Sequence, residues 1–210
     1  MRSASLRSAV KRVGALPPLE GVLRRRGLRS TNVGRWSGVY KDLEQPEPYD
    51  DVSTYGIAAA YLADCALVED WGCGKGWART AIDPERYRGI DGSRSPFADV
   101  VADLVTYRSE VPGLLMRHVL EHNYRWAEIL GNALHSFKER MVLILFTPLA
   151  STTHVIAYNP HIGVPDISFK LADITDRFSD DIEWSMESQK TATEYGGETI
   201  LFLSRRATSR

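Results

Sequence analysis

Three glycines at alternate positions, Gly72, Gly74 and Gly76, follow the acid Asp70 and the apolar residues 66–68. Glycine lets a backbone turn sharply and come close to a ligand where a side chain would collide. At the end of a buried strand such a turn makes a nucleotide-sized pocket at the carboxyl edge of a parallel sheet. Asp91 lies 21 residues beyond Asp70. That is close to the ~20-residue separation at which an acid takes the ribose hydroxyls in nucleotide-binding α/β units. Another acid, Asp103, ends the run Val100-Val-Ala-Asp103. Further on, the segment Arg117-His-Val-Leu-Glu-His122 places two histidines beside a carboxylate. Imidazoles, with an ordinary pKa of about 6.5, move protons near neutral pH.

These residues need strands to hold them. The apolar residues before Asp70 read as a first strand, 87–91 as a second, 100–103 as a third and 113–116 as a fourth. Residues 141–146 form an uninterrupted apolar run, the pattern of a strand buried on both faces. Helices are expected over 51–64 and over 124–138. In the latter, Trp126, Ile129, Leu130, Ala133, Leu134 and Phe137 recur at helical spacing, with Asn123 as N-cap and His135 on the solvent face. Residues 147–180 read as a long connection, and 182–186 with 199–204 as a β-hairpin around Gly196-Gly197. Only eleven residues, Pro96 among them, separate Asp91 from Asp103. A crossover alone takes about 10–12 residues, so the second crossover must shrink to a turn or one helical loop.

The ordered series Asp-x-Gly-x-Gly-x-Gly, Gly-Ile-Asp-Gly-Ser, Ala-Asp-Leu and His-Val-Leu-Glu-His resembles the class I S-adenosylmethionine (SAM) dependent methyltransferases over residues 50–205. The resemblance implies an α/β, Rossmann-like, seven-stranded and mostly parallel sheet of order 3-2-1-4-5-7-6. It ends in an antiparallel hairpin, and here its second crossover is shortened. SAM is the implied cofactor. Asp70 and the backbone of Gly72, Cys73 and Gly74 would cradle its amino-acid part, and Asp91, Gly92 and Ser93 its ribose. Asp103 would take the adenine amino group, on a side left more open by the short crossover, and Arg117 would also contact the cofactor. His118 or His122 is the implied base beside the transferred methyl group. Some members hold a divalent cation with Glu-x-x-Glu-His and a distant His. Here Glu121 and His122 with His154 or His161 form a partial match for Mg²⁺ or a similar ion, His118 replacing the first Glu. The aromatics Trp36, Tyr40, Tyr49 and Tyr55 precede the glycines. They either lie over the cofactor or anchor an N-terminal helix to the core.

The formal net charge of −1 hides an asymmetry. Eight basic residues and one acid fall within residues 1–30, leaving 18 basic and 26 acidic side chains beyond. An acidic body repels a nucleic-acid polyanion. We therefore read residues 1–48 as a basic extension and cap, and 49–210 as the methyltransferase domain. The basic arm is suited to a peripheral membrane or protein contact. Cys65 and Cys73 are too few for a disulfide framework, and no stretch is long and apolar enough to span a bilayer. A cytoplasmic enzyme is the expectation, O-methylating a small hydroxylated metabolite or sugar. An RNA or protein methyltransferase and a non-catalytic binding module remain open alternatives.

Overall fold

A computed structural model describes residues 32–49, 51–159 and 162–206. The basic arm, His161 and the last four residues lie outside the described residues. Seven strands form one sheet: β1 (Val68–Trp71), β2 (Tyr87–Asp91), β3 (Val100–Val101), β4 (Val111–Arg117), β5 (Phe137–Leu145), β8 (Ile182–Lys190) and β9 (Gly197–Arg205). Their order is β3-β2-β1-β4-β5-β9-β8, with β9 antiparallel to β5 and to β8 and the remaining pairs parallel. This is the 3-2-1-4-5-7-6 arrangement that the resemblance implies.

Period-two alternation sends neighbouring residues to opposite faces of a strand, and both faces are covered. Leu114, Met141 and Leu201 pack with α3 (Trp126–Ser136) through Ile129, Leu130 and Ala133. Leu115, Val142 and Ile200 pack with α2 (Ser53–Tyr61) through Ala58 and with its C-cap residue Leu62. That double burial explains why β4 and β5 read as continuous apolar runs. It also fixes β1 in the middle, with Asp70 opposite Gly89 of β2 and Leu115 of β4. The glycine turn therefore leaves the sheet at its centre, where strands on either side run toward the same edge.

The second crossover contains no helix. Residues 92–99 form a turn stitched back by the Asp99 N–H to the Gly89 carbonyl (2.9 Å) and the Gly89 N–H to Asp99 Oδ2 (2.7 Å). The side of the pocket it leaves bare is covered by α1 (Val33–Tyr40). Arg94 donates its N–H to Ser37 Oγ, and Asn32 donates Nδ2–H to the His122 carbonyl, pinning the helix across the mouth.

Three expectations are corrected. Residues 147–180 are not a plain connection but carry a hairpin, β6 (His154–Asn159) with β7 (Val164–Ser168), and a short α4 (Leu171–Thr175). Asn123 does not cap α3; its amide turns back to the Val119 carbonyl (2.5 Å) and Arg125 occupies the cap position. Phe137 is not a helical residue either. The chain passes from Ser136 directly into β5, so Phe137 reaches the core as the first strand residue.

Candidate functional site

The turn after β1 is built on positive φ. Gly72, Gly74 and Gly76 have φ of 78°, 46° and 73°, values that cost an L side chain strain. A Cβ on Gly72 would stand 2.4 Å from Val119 Cγ2, and one on Gly74 would stand 2.8 Å from the Tyr49 hydroxyl. The turn is thus wedged between the β4 exit and the aromatic cap. Tyr49 donates to Tyr40 (2.6 Å), fixing the cap over the glycines.

Beside this turn opens a cavity of about 440 Å³, within the roughly 300–1,000 Å³ range of small-molecule sites. Of the residues singled out by sequence, Gly72, Asp91, Gly92, Ser93, Asp103, Arg117, His118 and His122 line it. Asp70, Cys73, Gly74, Glu121 and His154 are not among its lining. Asp70 is buried and accepts from the Tyr87 hydroxyl (2.9 Å); burial pushes its carboxyl up to about 7. Cys73 is buried with Sγ toward the Phe97 carbonyl, and burial raises its thiol.

Asp91 ties the turn together. Its Oδ1 accepts from the Ser93 N–H (2.7 Å) and hydroxyl (2.6 Å), and its Oδ2 from the Gly74 N–H (2.9 Å). Burial moves its pKa upward against these bonds. A carboxylate offers about four acceptor sites, so Oδ2 keeps room for a ligand hydroxyl while Oδ1 is filled. Asp103 caps its own turn by accepting the Val105 N–H at Oδ1 (3.0 Å), with Leu104, Val119 and Ile129 forming an apolar wall beside it. An apolar wall with a carboxylate at its edge suits an adenine, and the neighbouring carboxylate suits a ribose. The residues present fit SAM.

Arg117 lines the cavity but spends its donors inside the protein. It bonds Thr54 Oγ1, the Tyr55 hydroxyl, the Asp51 carbonyl and Glu198 Oε1 (2.6 Å), and it stacks 4.3 Å from the Tyr55 ring centre. It joins β4 to α2 and β9.

The two histidines differ. His118 has φ of 57° and places Nε2 2.6 Å from Glu198 Oε1, which Arg117 shares. Burial lowers its pKa to about 4, aided by the Arg117 charge and opposed by Glu198. His122 sits in a short 3-10 turn (Leu120–His122) with Nδ1 3.2 Å from Asp166 Oδ1 and 3.0 Å from the Pro165 carbonyl. Burial disfavours its cation, but Asp166 and Glu121 outweigh that and hold its pKa above the ordinary value. Asp166 Oδ2 in turn accepts from the Tyr195 hydroxyl (2.9 Å). Rings enclose both imidazoles: Phe146 is 4.8 Å from His118 and 5.2 Å from His122, and Trp36 is 5.3 Å from His122.

Among the described residues, which leave out His161, the cation set suggested by sequence is not assembled. Glu121 is fully buried, with Oε1 taken by the Phe146 N–H (2.7 Å) and its carboxyl pushed by burial up to about 7. His154 is exposed on β6 with Nδ1 near the Thr152 carbonyl. Among the described residues no three His, Cys, Asp or Glu side chains are grouped to hold a metal ion.

Asp166, Glu198 and Tyr195 went unnoticed in the sequence. Two of them had a signal: Asp166 and Glu198 are acids within largely apolar strand segments, where an unpaired charge is costly. Their partners, however, lie 44 and 80 residues away and only the fold reveals them.

No protein-family model matches the chain, and no curated protein matches it by sequence. Solved structures do match in fold. A Burkholderia thailandensis 1,6-didemethyltoxoflavin-N1-methyltransferase, with its acceptor and S-adenosylhomocysteine (SAH) bound, is similar at a TM-score of 0.59 and 17% identity, covering 92% of each chain. The N-methyltransferase NodS from Bradyrhizobium japonicum WM9, in complex with SAH, is similar at 0.56 and 10% identity, over 83% of this chain and all of that one. The [4+2]-cyclase SpnF is similar at 0.57 and 10% identity, over 89% and 96%. The fold is that of the class I SAM-dependent methyltransferases.

Proposed function

We propose that this chain is a SAM-dependent methyltransferase that acts on a hydroxyl group of a small molecule, with His122 as the base. The observation that carries the reading is the Asp166–His122 pair at the carboxyl end of β4, facing the same cavity as Asp91 and Asp103. Fold alone does not decide the reaction, since a [4+2]-cyclase is among the similar structures. A base held for proton removal favours transfer to a protic acceptor.

Asp91, Gly92 and Ser93 would hold the ribose of SAM, Asp103 its adenine, and the backbone at Gly72 its amino-acid part. When bound, SAM supplies an electrophilic sulfonium methyl, whose carbon bonds the acceptor oxygen as the carbon–sulfur bond breaks to leave neutral SAH. Orientation contributes the larger share of catalysis in such a displacement. α1 and the β8–β9 turn line the cavity through Trp36 and Thr193. The Pro165 carbonyl and Asp166 Oδ1 both face Nδ1 of His122 and hold its proton there, which leaves Nε2 to take the hydroxyl proton. His118, bound through Nε2 to Glu198 and favoured neutral, orients the wall and is a weaker candidate for base.

The acidic body and the acids around the cavity speak against an RNA acceptor. The fit of the cavity to the cofactor speaks against a purely structural module. Incubation with methyl-labelled SAM and a panel of hydroxylated small molecules tests the reading. We expect label in an acceptor with the wild type. The His122→Asn variant should lose transfer at least a hundredfold while still binding SAH. Transfer at the wild-type rate by that variant overturns His122 as base.

A further inference from the structure

We infer that the free edge of β8 pairs with β8 of a second copy of this chain, joining the two sheets about a twofold axis at Met186. The inference is independent of the cofactor and base assigned above.

β8 ends the seven-stranded sheet, and among the described residues nothing pairs with its outer side. Its register with β9 runs unbroken from Ile182 to Lys190, with neither a bulge nor a proline. Proteins ordinarily blunt an edge by one of those devices or keep it short. The opposite edge is short, since β3 spans only Val100–Val101. From Glu183 to Ser188 every residue of β8 is exposed, on both faces of the sheet. Trp184 and Met186, 43% and 40% exposed, stand side by side on the α3 face, next to Leu203 and Leu201. Phe178 covers one flank of Trp184, with ring centres 5.9 Å apart. The flank toward the free edge is bare.

The backbone decides which residues can pair. The Asp181 carbonyl accepts the Arg206 N–H (2.8 Å), and the Thr191 N–H donates to the Gly196 carbonyl (3.3 Å). In an antiparallel ladder alternate residues bond a given neighbour, so the odd-numbered residues of β8 bond β9. Trp184, Met186 and Ser188 therefore turn their N–H and C=O groups outward.

Charge decides the register. With the axis on Met186, Trp184 faces Ser188 of the second copy, and Met186 faces its own equivalent. Trp184 then lies diagonal to Met186 and Lys190 of the second copy, within reach of an aromatic ring. On the other face Glu187 meets Ser185 and Glu183 meets Gln189, so no acid opposes an acid. An axis on residue 185 would set Glu183 against Glu187, and one on 187 would set Glu187 against itself. Like charges directly opposite destabilise a pair, so the glutamates leave one register open. A contact one strand wide falls at the small end of interfaces, under about 1,200 Å² in total. The dimer is therefore concentration-dependent.

Sedimentation equilibrium on the full chain tests this, across a hundredfold concentration range that reaches several hundred micromolar. The mass should rise from 23.5 kDa toward twice that value. Met186→Pro removes an outward N–H without touching the β9 ladder, and Ser185→Glu sets an acid against Glu187 of the second copy. Each should weaken association at least tenfold at unchanged circular dichroism. Ser185→Glu, at an exposed position, keeps the test if Met186→Pro unfolds. Adding Glu187→Lys to Ser185→Glu should restore the dimer. Cys65 and Cys73 are buried, so an introduced thiol reports the register. On oxidation Met186→Cys should give a disulfide-linked dimer. Glu183→Cys should not, because about 3.4 Å per residue places it ~20 Å from its equivalent. Monomer at every concentration overturns the proposal, as does a dimer that Met186→Pro and Ser185→Glu both leave intact. A Glu183→Cys disulfide forming as fast as that of Met186→Cys, or no restoration in the double change, overturns the register.

Discussion

His118 and His122 stand four residues apart, each against a carboxylate, yet their pKa values move in opposite directions. The difference lies in the second neighbour. Glu198 divides its charge between His118 and the buried Arg117, whereas Asp166 is shared with the neutral Tyr195 hydroxyl and Glu121 adds a second acid beside His122. Asp166→Asn should therefore lower the His122 pKa in an NMR titration of its ring protons. In a pH–rate profile the rise in rate, which needs neutral His122, should move to lower pH and reach a lower plateau. Glu198→Gln strands the Arg117 guanidinium, which is almost wholly buried. Breaking a buried pair from one side costs about 3–5 kcal/mol, so the variant should melt well below the wild type. The double change Glu198→Gln with Arg117→Met should recover part of that loss; no recovery would argue against the pair as the cause. Asp91 and the two histidines were legible in the sequence because residue type and local spacing define them. Arg117 lines the cavity, but its partners Thr54, Tyr55 and Glu198 come from segments that spacing does not connect, so its internal pairing was not legible.

Elements that obey a simple period were legible. The apolar run 141–146 and the helical recurrence in 126–134 give β5 and α3 because packing on both sheet faces rewards those patterns. β6 and β7 were not. They form a separate small sheet whose inner strand carries Pro165 and Asp166, residues that read as loop. Glycines separate two kinds of position at this scale. Gly131 lies inside α3 with nothing within 4 Å of an added Cβ, so Gly131→Ala should stabilise the protein by about 1 kcal/mol, measured by urea unfolding. Gly74→Ala meets the Tyr49 and Tyr40 hydroxyls at a positive φ. It should loosen the aromatic cap and weaken SAH binding at least tenfold in calorimetry, with a smaller effect on unfolding.

Over the whole molecule the buried ionisable groups set how stability responds to pH. Asp70 and Glu121 are raised to about 7, so each favours folding at low pH and loses that contribution as pH climbs from the ordinary carboxylate range through 7. His122, also raised, contributes below about pH 6.5 and loses its contribution as pH rises through its folded value. His118, lowered to about 4, acts the other way, costing stability as pH falls from about 6.5 toward 4. Between pH 5 and 7 the native state therefore binds more protons than the unfolded chain. Stability should fall with rising pH by on the order of 1 kcal/mol per unit. Below pH 4.5 Glu198, whose pKa is lowered, reverses the slope. Urea midpoints from pH 4 to 8 should peak near 5; a maximum at 7 or above would contradict these protonation states.

The account stands or falls on the cavity beside Asp91. Calorimetric titration of SAH into the wild type, Asp91→Asn and Asp103→Asn, with melting curves to confirm folding, tests it most directly. Saturable binding in the wild type, weakened at least tenfold in each folded variant, is the predicted result. No binding to the wild type, or binding that both variants leave unchanged, would contradict it.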